Sequence, residues 1–344
     1  MTMHPTTRPP LAARAAALAL AATLAGCGAL LKPPYTEPAV NTPARWNAPA
    51  AALTATQAMA DEAWWRHFDD SNLNALVAEA LRTNNDLAAA TIRVRRAQLV
   101  AGLAQTDLYP RFSAGADASF DRALKDGSNR SSSHAVSAAV SYEADLWGRL
   151  ASQRDAARWE ALATEEDRRS TAVALVGTTM NLYWQAAFLN QRISAAEASI
   201  GYAERTLELV RGQYQAGAVS SLEVAEAESS LASQRANLSQ LRQQRVETLN
   251  ALSILFNGPP SVDVPVPDTL PEASLPGVPA GLPAELLARR PDLRAAELRL
   301  RQTLATGDAV RASYYPTLSL TGSLGSVSTQ LLNVLQNPIA ALGV

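Results

Sequence analysis

One cysteine, three histidines and four methionines in 344 residues leave little from which to build a metal centre. No Ser/His/Asp set, metal-ligand cluster or glycine-rich phosphate loop is present, so neither catalysis nor a cofactor is expected. Charge of one sign is also missing: the formal net charge is −2, and setting aside Arg8 and Arg14 leaves 28 bases against 32 acids. With no basic block, a nucleic-acid partner is not indicated. Long apolar runs are absent too, because the stretch at residues 15–24 is too short for a spanning helix, which needs about twenty residues. What remains is 47% hydrophobic, 18% charged and 6% aromatic, a balance that excludes a disordered chain and leaves room for a large core or a long helical assembly.

The strongest internal signal is a repeat. Residues 76–95 and 282–301, at an offset of 206, share ten identities in twenty positions. The pairs include Asp86 with Asp292, Leu87 with Leu293, Arg93 with Arg299 and Arg95 with Arg301, and Tyr109-Pro110 then falls on Tyr315-Pro316 without a gap. Asp-Leu, Tyr-Pro and their equal spacing carry the argument, since alanine-rich helices match by accident.

In chain order, residues 1–26 read as a targeting segment, with Arg8 and Arg14 ahead of a short apolar run. It ends in Leu24-Ala25-Gly26-Cys27, which resembles the lipobox of bacterial lipoproteins, whose cysteine becomes the lipidated first residue. An ordinary secretory signal with a buried thiol beyond it is the alternative. In bacterial lipoproteins Gly28, in place of Asp, implies sorting to the outer membrane. Residues 27–70 form an extended arm rich in proline, with Trp64, Trp65 and Phe68 packing where it meets the body. Residues 71–110 hold the first-repeat helices, predicted from about Asn72 to Arg82 and from Asp86, as cap, to Leu108.

The period then changes to two. Phe112, Ala114, Ala116, Ala118 and Phe120 alternate with Ser113, Gly115, Asp117 and Ser119, and Val136, Ala138, Val140, Tyr142 and Ala144 do the same after a polar loop at residues 121–133. Residues 111–147 are therefore a hairpin, fit either for a tilted crossing of a bilayer or for half of a soluble sheet. Residues 148–256 follow as a helical hairpin. Its first helix carries apolar positions from Ala172 through Leu175, Thr179, Leu182, Ala186 and Leu189 to Tyr214 in alternating steps of three and four, a coiled-coil pattern. If helical from Arg149 to Tyr214 it runs roughly 100 Å.

Gly217, Ala218, Val219, Ser220 and Ser221 break it, with Gly217 suited to a left-handed C-cap and Ser220 with Glu223 forming a capping box. The second helix is expected to pack through a small-residue stripe at Ala225, Ser229, Ala232, Ala236 and Ser239. Residues 257–283 are a proline-rich connection, residues 284–315 the second-repeat helices, and residues 316–344 the start of a second hairpin. Asp145, Trp147, Gly148 and Arg149 are read as a structural strand-to-helix junction, and Arg290, Pro291 and Asp292 as a structural helix start.

Together, Cys27 in its lipobox, the run from Tyr142 to Arg149, Gly217-Ala218-Val219-Ser220 and Arg289-Arg290-Pro291-Asp292-Leu293 resemble the outer-membrane efflux protein family, most nearly its NodT- and OprM-type lipoproteins, relatives of TolC. The resemblance implies a mainly α fold with a membrane β portion: antiparallel coiled-coil hairpins form a periplasmic tunnel, and amphipathic strands join one β-barrel shared by a homotrimer. It implies an exit duct of a tripartite efflux pump, lipid-anchored in the outer membrane and extending into the periplasm. The implied partners are outer-membrane lipid, a periplasmic adaptor docked at Gly217–Ser221, and an inner-membrane transporter that supplies the energy.

Adding 206 to Asp145 passes Val344, so the fourth strand and second long hairpin are expected to be missing, together with any gate residues. A trimer of this span is expected not to close into a conducting channel. The competing reading is a periplasmic coiled-coil adaptor or scaffold lipoprotein, which leaves the two copies of helix, Tyr-Pro and strand unexplained. Substrate is not legible, and the methionines give no sign of a copper-specific lumen.

Overall fold

The computed structural model describes residues 35–36, 63–122, 130–260, 264–272, 287 and 289–344. They fall into two compact units, one holding the described residues of 1–40, 93–165 and 293–344, the other those of 41–92 and 166–292. The described elements are α1 (Ser71–Thr83), α2 (Asn85–Thr106), β1 (Arg111–Arg122), β2 (Arg130–Ala144), α3 (Arg149–Gln215), α4 (Ser221–Leu255), α5 (Pro291–Ala312), β3 (Leu318–Ser328) and β4 (Ile339–Gly343). No described helix is long and apolar enough to cross a membrane.

The first unit holds one antiparallel sheet in the order β1-β2-β3-β4. Strict alternation sorts its side chains onto two faces. One carries Phe112, Ala116 and Phe120 of β1, opposite Val140, Val136 and Ser132 of β2. Leu324, opposite Ala138, and Leu342, opposite Gly322, continue that row across β3 and β4. The other face carries Ser113, Gly115, Asp117 and Ser119 against Ala139, Ser137, Ala135 and Ser133. The apolar face is uncovered, with Phe112 81% and Phe120 76% exposed.

Two strand expectations need correction. The serines at 131–133 lie inside β2, where they pair with Asp121, Phe120 and Ser119, because ladder hydrogen bonds override the low strand preference of a polar run. A fourth strand is also present: β4 pairs with β3 from Thr321 opposite Gly343 to Gly325 opposite Ile339. The offset of 206 carries the end of β2 past Val344 but brings its first residue, Arg130, to position 336, so the beginning of the strand falls inside the chain.

In the second unit α1 is amphipathic, burying Leu73, Val77 and Ala80 at steps of four and three. Leu73 and Val77 meet Trp65, Val176, Met180 and Tyr183 in one cluster, with Trp64 and Phe68 packed beside it, while Ala80 packs with Leu87 and Leu175. Fully burying residues of the size of Leu73 and Val77 contributes roughly 1.5–3 kcal/mol each. Asp70 ties the cluster together: one carboxylate oxygen accepts the Leu73 N–H at 3.0 Å and caps α1, and the other accepts the Tyr183 hydroxyl at 2.8 Å. Burial first, and then the facing carboxylate, push the Tyr183 phenol above its ordinary pKa, so it stays a donor.

Asn84 starts α2, contrary to the expectation for Asp86. Its side-chain oxygen accepts the N–H groups of Asp86 and Leu87, each at 3.0 Å, while its amide donates to the Leu255 carbonyl at 3.1 Å. Asp86 sits inside the first turn, where its charge meets the positive helix end. The 67 residues of α3 show why its seam is regular. Leu175, Thr179, Ala186, Leu189 and Leu207 are buried along it, while Val176, Met180, Tyr183 and Ala187 form a second buried stripe one residue away. That second stripe reaches the α1 cluster.

Candidate functional site

The turn between α3 and α4 is fully accounted for by its own backbone. Gly217 has φ of 75°, its N–H donates to the Tyr214 carbonyl at 2.9 Å, and the Ala218 N–H donates to the Gln213 carbonyl at 2.9 Å. These two bonds are a Schellman closure, which needs a left-handed residue at the position Gly217 fills. On the other side Ser220 is the N-cap of α4 in a capping box with Glu223, whose carboxylate accepts the Ser220 N–H at 2.9 Å and also its hydroxyl. Hydrogen bonding from that hydroxyl, more than any other cause, holds the Glu223 carboxyl below the usual range. Gly217, Ala218, Ser220 and Ser221 are exposed and Val219 is half-exposed. A Cβ added at Gly217 would meet nothing within 4 Å. The turn is stiff in its backbone and open outward.

Below the turn the hairpin differs from the sequence reading. The stripe of α4 that is withdrawn from solvent runs Val224, Ala227, Leu231, Gln234, Leu238, Leu241, Arg245, Thr248 and Leu252, while Ala225, Ser229, Ala232, Ala236 and Ser239 are exposed. Both sets obey the coiled-coil spacing. The leucines decide between them, since burying Leu231, Leu238, Leu241 and Leu252 removes far more apolar surface than burying alanine and serine.

Three ion pairs cross the hairpin at intervals of seven: Glu197 with Arg242 and Glu204 with Arg235, both at 2.7 Å, and Arg211 with Glu228 at 2.6 Å. Sequence reasoning did not single these residues out, although their spacing of seven on both helices was a usable signal. An open groove of about 780 Å³ lies among Glu204, Leu207, Arg211, Gly212, Glu228 and Arg235.

At the strand-to-helix junction, Asp145 accepts the N–H groups of Leu150 at 3.0 Å and Ala151 at 2.7 Å, satisfying two of the donors that begin α3. Gly148 turns the chain with φ of 73°. Arg149 reaches back to Glu143 on β2 at 2.6 Å. The Trp147 indole stacks on Tyr315 with centroids 4.9 Å apart, and its N–H donates to the Pro316 carbonyl at 2.8 Å. The Tyr-Pro step of the second repeat is thus bound by the junction that follows the first hairpin. Asp145, Trp147 and Arg149 each have a partner within the local fold.

At the start of α5, Arg290 makes a two-pronged contact with Asp292, at 3.1 and 2.6 Å, and Pro291 occupies the first helical position, where no N–H is needed. Cys27 lies outside the described residues. Among the described residues no group of three or more His, Cys, Asp or Glu is placed to hold a metal ion.

Comparison with known proteins agrees with this geometry. The family described as "Outer membrane efflux protein" matches residues 76–258 and 282–340. The chain is 35% identical over 286 residues to Toxin and drug export protein A of Aggregatibacter actinomycetemcomitans, covering 82% of this chain and 62% of that one. It is 35% identical over 312 residues to the pyoverdine export outer membrane protein OpmQ of Pseudomonas putida, covering 87% of this chain and 66% of that one. Among solved structures, the outer-membrane channel OprN superposes with a TM-score of 0.77 at 28% identity, covering 91% of this chain and 71% of that one. The chain therefore spans 62% and 66% of the length of these two curated relatives.

Proposed function

The chain belongs to the outer membrane efflux protein family, and from that premise we propose that it is a subunit of the outer-membrane exit duct of a tripartite efflux pump. The family is a transport component rather than an enzyme, and the duct passes small molecules without changing them. The observation that carries the reading is the sheet: its apolar face is bare, its other face is mostly small and polar across β1 and β2, and the outer edges of β1 and β4 have no partner strand among the described residues. A bilayer does not hold unpaired strand edges. The reading supplies partners for those edges from neighbouring protomers of a homotrimer that share one barrel, with lipid against the row from Phe112 to Phe120.

The turn Gly217, Ala218, Val219, Ser220 and Ser221 is the contact for a periplasmic adaptor, which connects the duct to an inner-membrane transporter. Its stiff, self-satisfied and exposed backbone supports this, because a partner that docks there orders nothing at its own expense. Cys27 carries the acyl chains that fix the protein to the inner leaflet of the outer membrane. Asp145, Trp147, Gly148 and Arg149, and likewise Arg290, Pro291 and Asp292, serve the fold alone.

Two measurements test this. With Trp in place of Phe112, brominated lipids are expected to quench its fluorescence; no quenching would indicate a soluble sheet, as in an adaptor or scaffold lipoprotein. With Val219→Cys or Ser220→Cys, disulfide bonds to cysteines on the adaptor are expected in cells. Their absence, with trimers intact, removes the docking assignment.

A further inference from the structure

The ring of Tyr35 packs against a cation. The Arg301 guanidinium carbon lies 4.7 Å from the centroid of the Tyr35 ring and 5.3 Å from that of Trp159, so two aromatic faces share one charge. Glu297 balances that charge at 2.5 Å. The two helices that supply Trp159 and Arg301, α3 and α5, are joined again beside them by Glu160 and Arg299 at 3.8 Å.

From this we infer that Tyr35, Arg301 and Trp159 form a clasp that moors the lipidated N-terminal arm to the helices and sets a short tether to the membrane. The inference rests on the reading of Cys27 as the acylated residue. Eight residues separate Cys27 from Tyr35, a reach of at most roughly 26–29 Å when fully extended. Pro33 and Pro34 immediately before Tyr35 reduce the chain entropy lost when the ring docks.

Two details make the clasp specific to this place. Arg95, which the repeat sets against Arg301, is exposed. The contact that Arg301 makes at 4.7 Å is with the face of the Tyr35 ring, which Tyr35→Phe keeps.

Chymotrypsin cleaves after Tyr35, and this bond reports the clasp in the full-length protein in outer-membrane preparations. Release of a chain beginning at Thr36 is expected to be slow in the native protein and at least tenfold faster in Arg301→Gln and Trp159→Ala. Tyr35→Phe, still a chymotrypsin site, is expected to remain as slow as the native chain. Equal rates in the native chain and Arg301→Gln overturn the clasp, as does rapid cleavage of Tyr35→Phe.

If Arg301→Gln also opens cuts within α3, the substitution has damaged the fold, and Trp159→Phe decides: slow cleavage supports the clasp and fast cleavage overturns it. Radiolabelled palmitate separates the two readings. An unlabelled chain with a protected Tyr35 bond removes the anchor and keeps the clasp, whereas a labelled chain with an unprotected bond does the reverse.

Discussion

Gly148 and Gly217 have nearly the same backbone, with φ of 73° and 75°, and stand just outside the two ends of α3. Their surroundings are opposite. Around Gly148 the neighbouring side chains are all engaged: Asp145 on two N–H groups, Trp147 on Tyr315 and Pro316, Arg149 on Glu143. Around Gly217 the backbone closes on itself and the side chains face outward. The same local solution to ending or starting a helix is used once to build the molecule and once to leave a surface free. Conformation alone does not distinguish a glycine enclosed by engaged side chains from one on an open surface; the neighbours do.

The contrast can be broken by substitution. The largest effect is expected from Asp145→Ala, which strands two helix-start donors and costs about 2 kcal/mol, read from thermal unfolding in detergent. Gly148→Ala follows, at about 1–2 kcal/mol for a side chain forced into the left-handed region, again lowering the global unfolding temperature. Gly217→Ala carries a similar backbone penalty but is expected to raise amide exchange only around the turn, leaving global unfolding nearly unchanged. If it lowers global stability as much as Gly148→Ala does, the two glycines are equivalent and the contrast fails.

The smallest effect is expected from pH. The folded Glu223 carboxyl is held below its ordinary pKa, so its capping contribution is complete above the unfolded value and is lost as pH falls through the folded one. Amide exchange at Leu222 and Glu223 is expected to quicken over that acidic window, and Ser220→Ala is expected to weaken the dependence, leaving the part carried by the backbone N–H groups.

The elements were legible in the sequence where one residue type had one possible use. Gly217 and Ser220 announced the turn, and the alternation from Phe112 to Phe120 announced β1. Reading failed where two solutions shared a spacing. On α4 the small-residue stripe and the leucine stripe both step by three and four, and only side-chain size separates them. At the start of α2, Asn84 and Asp86 are both good caps, and Asn84 wins because it also reaches the Leu255 carbonyl, 171 positions away. Contacts of that kind leave no periodic trace, and neither does Tyr183 on Asp70 or Tyr35 on Arg301. The bare apolar face of the sheet was legible as a pattern, but not its exposure, since alternation serves a soluble sheet equally well.

The three ion pairs between α3 and α4 have their charges reversed at the last rung, where arginine stands on α3 and glutamate on α4. Each pair is solvent-exposed and contributes little by itself. Sliding one helix by a heptad in one direction brings Arg211 opposite Arg235, and sliding in the other brings Glu204 opposite Glu228. Either slip replaces an attraction with a repulsion, whereas a ladder of uniform polarity would tolerate both. The reversal is a notch against axial creep: it fixes how far the turn at Gly217 projects, and so the height at which anything outside the chain can meet it.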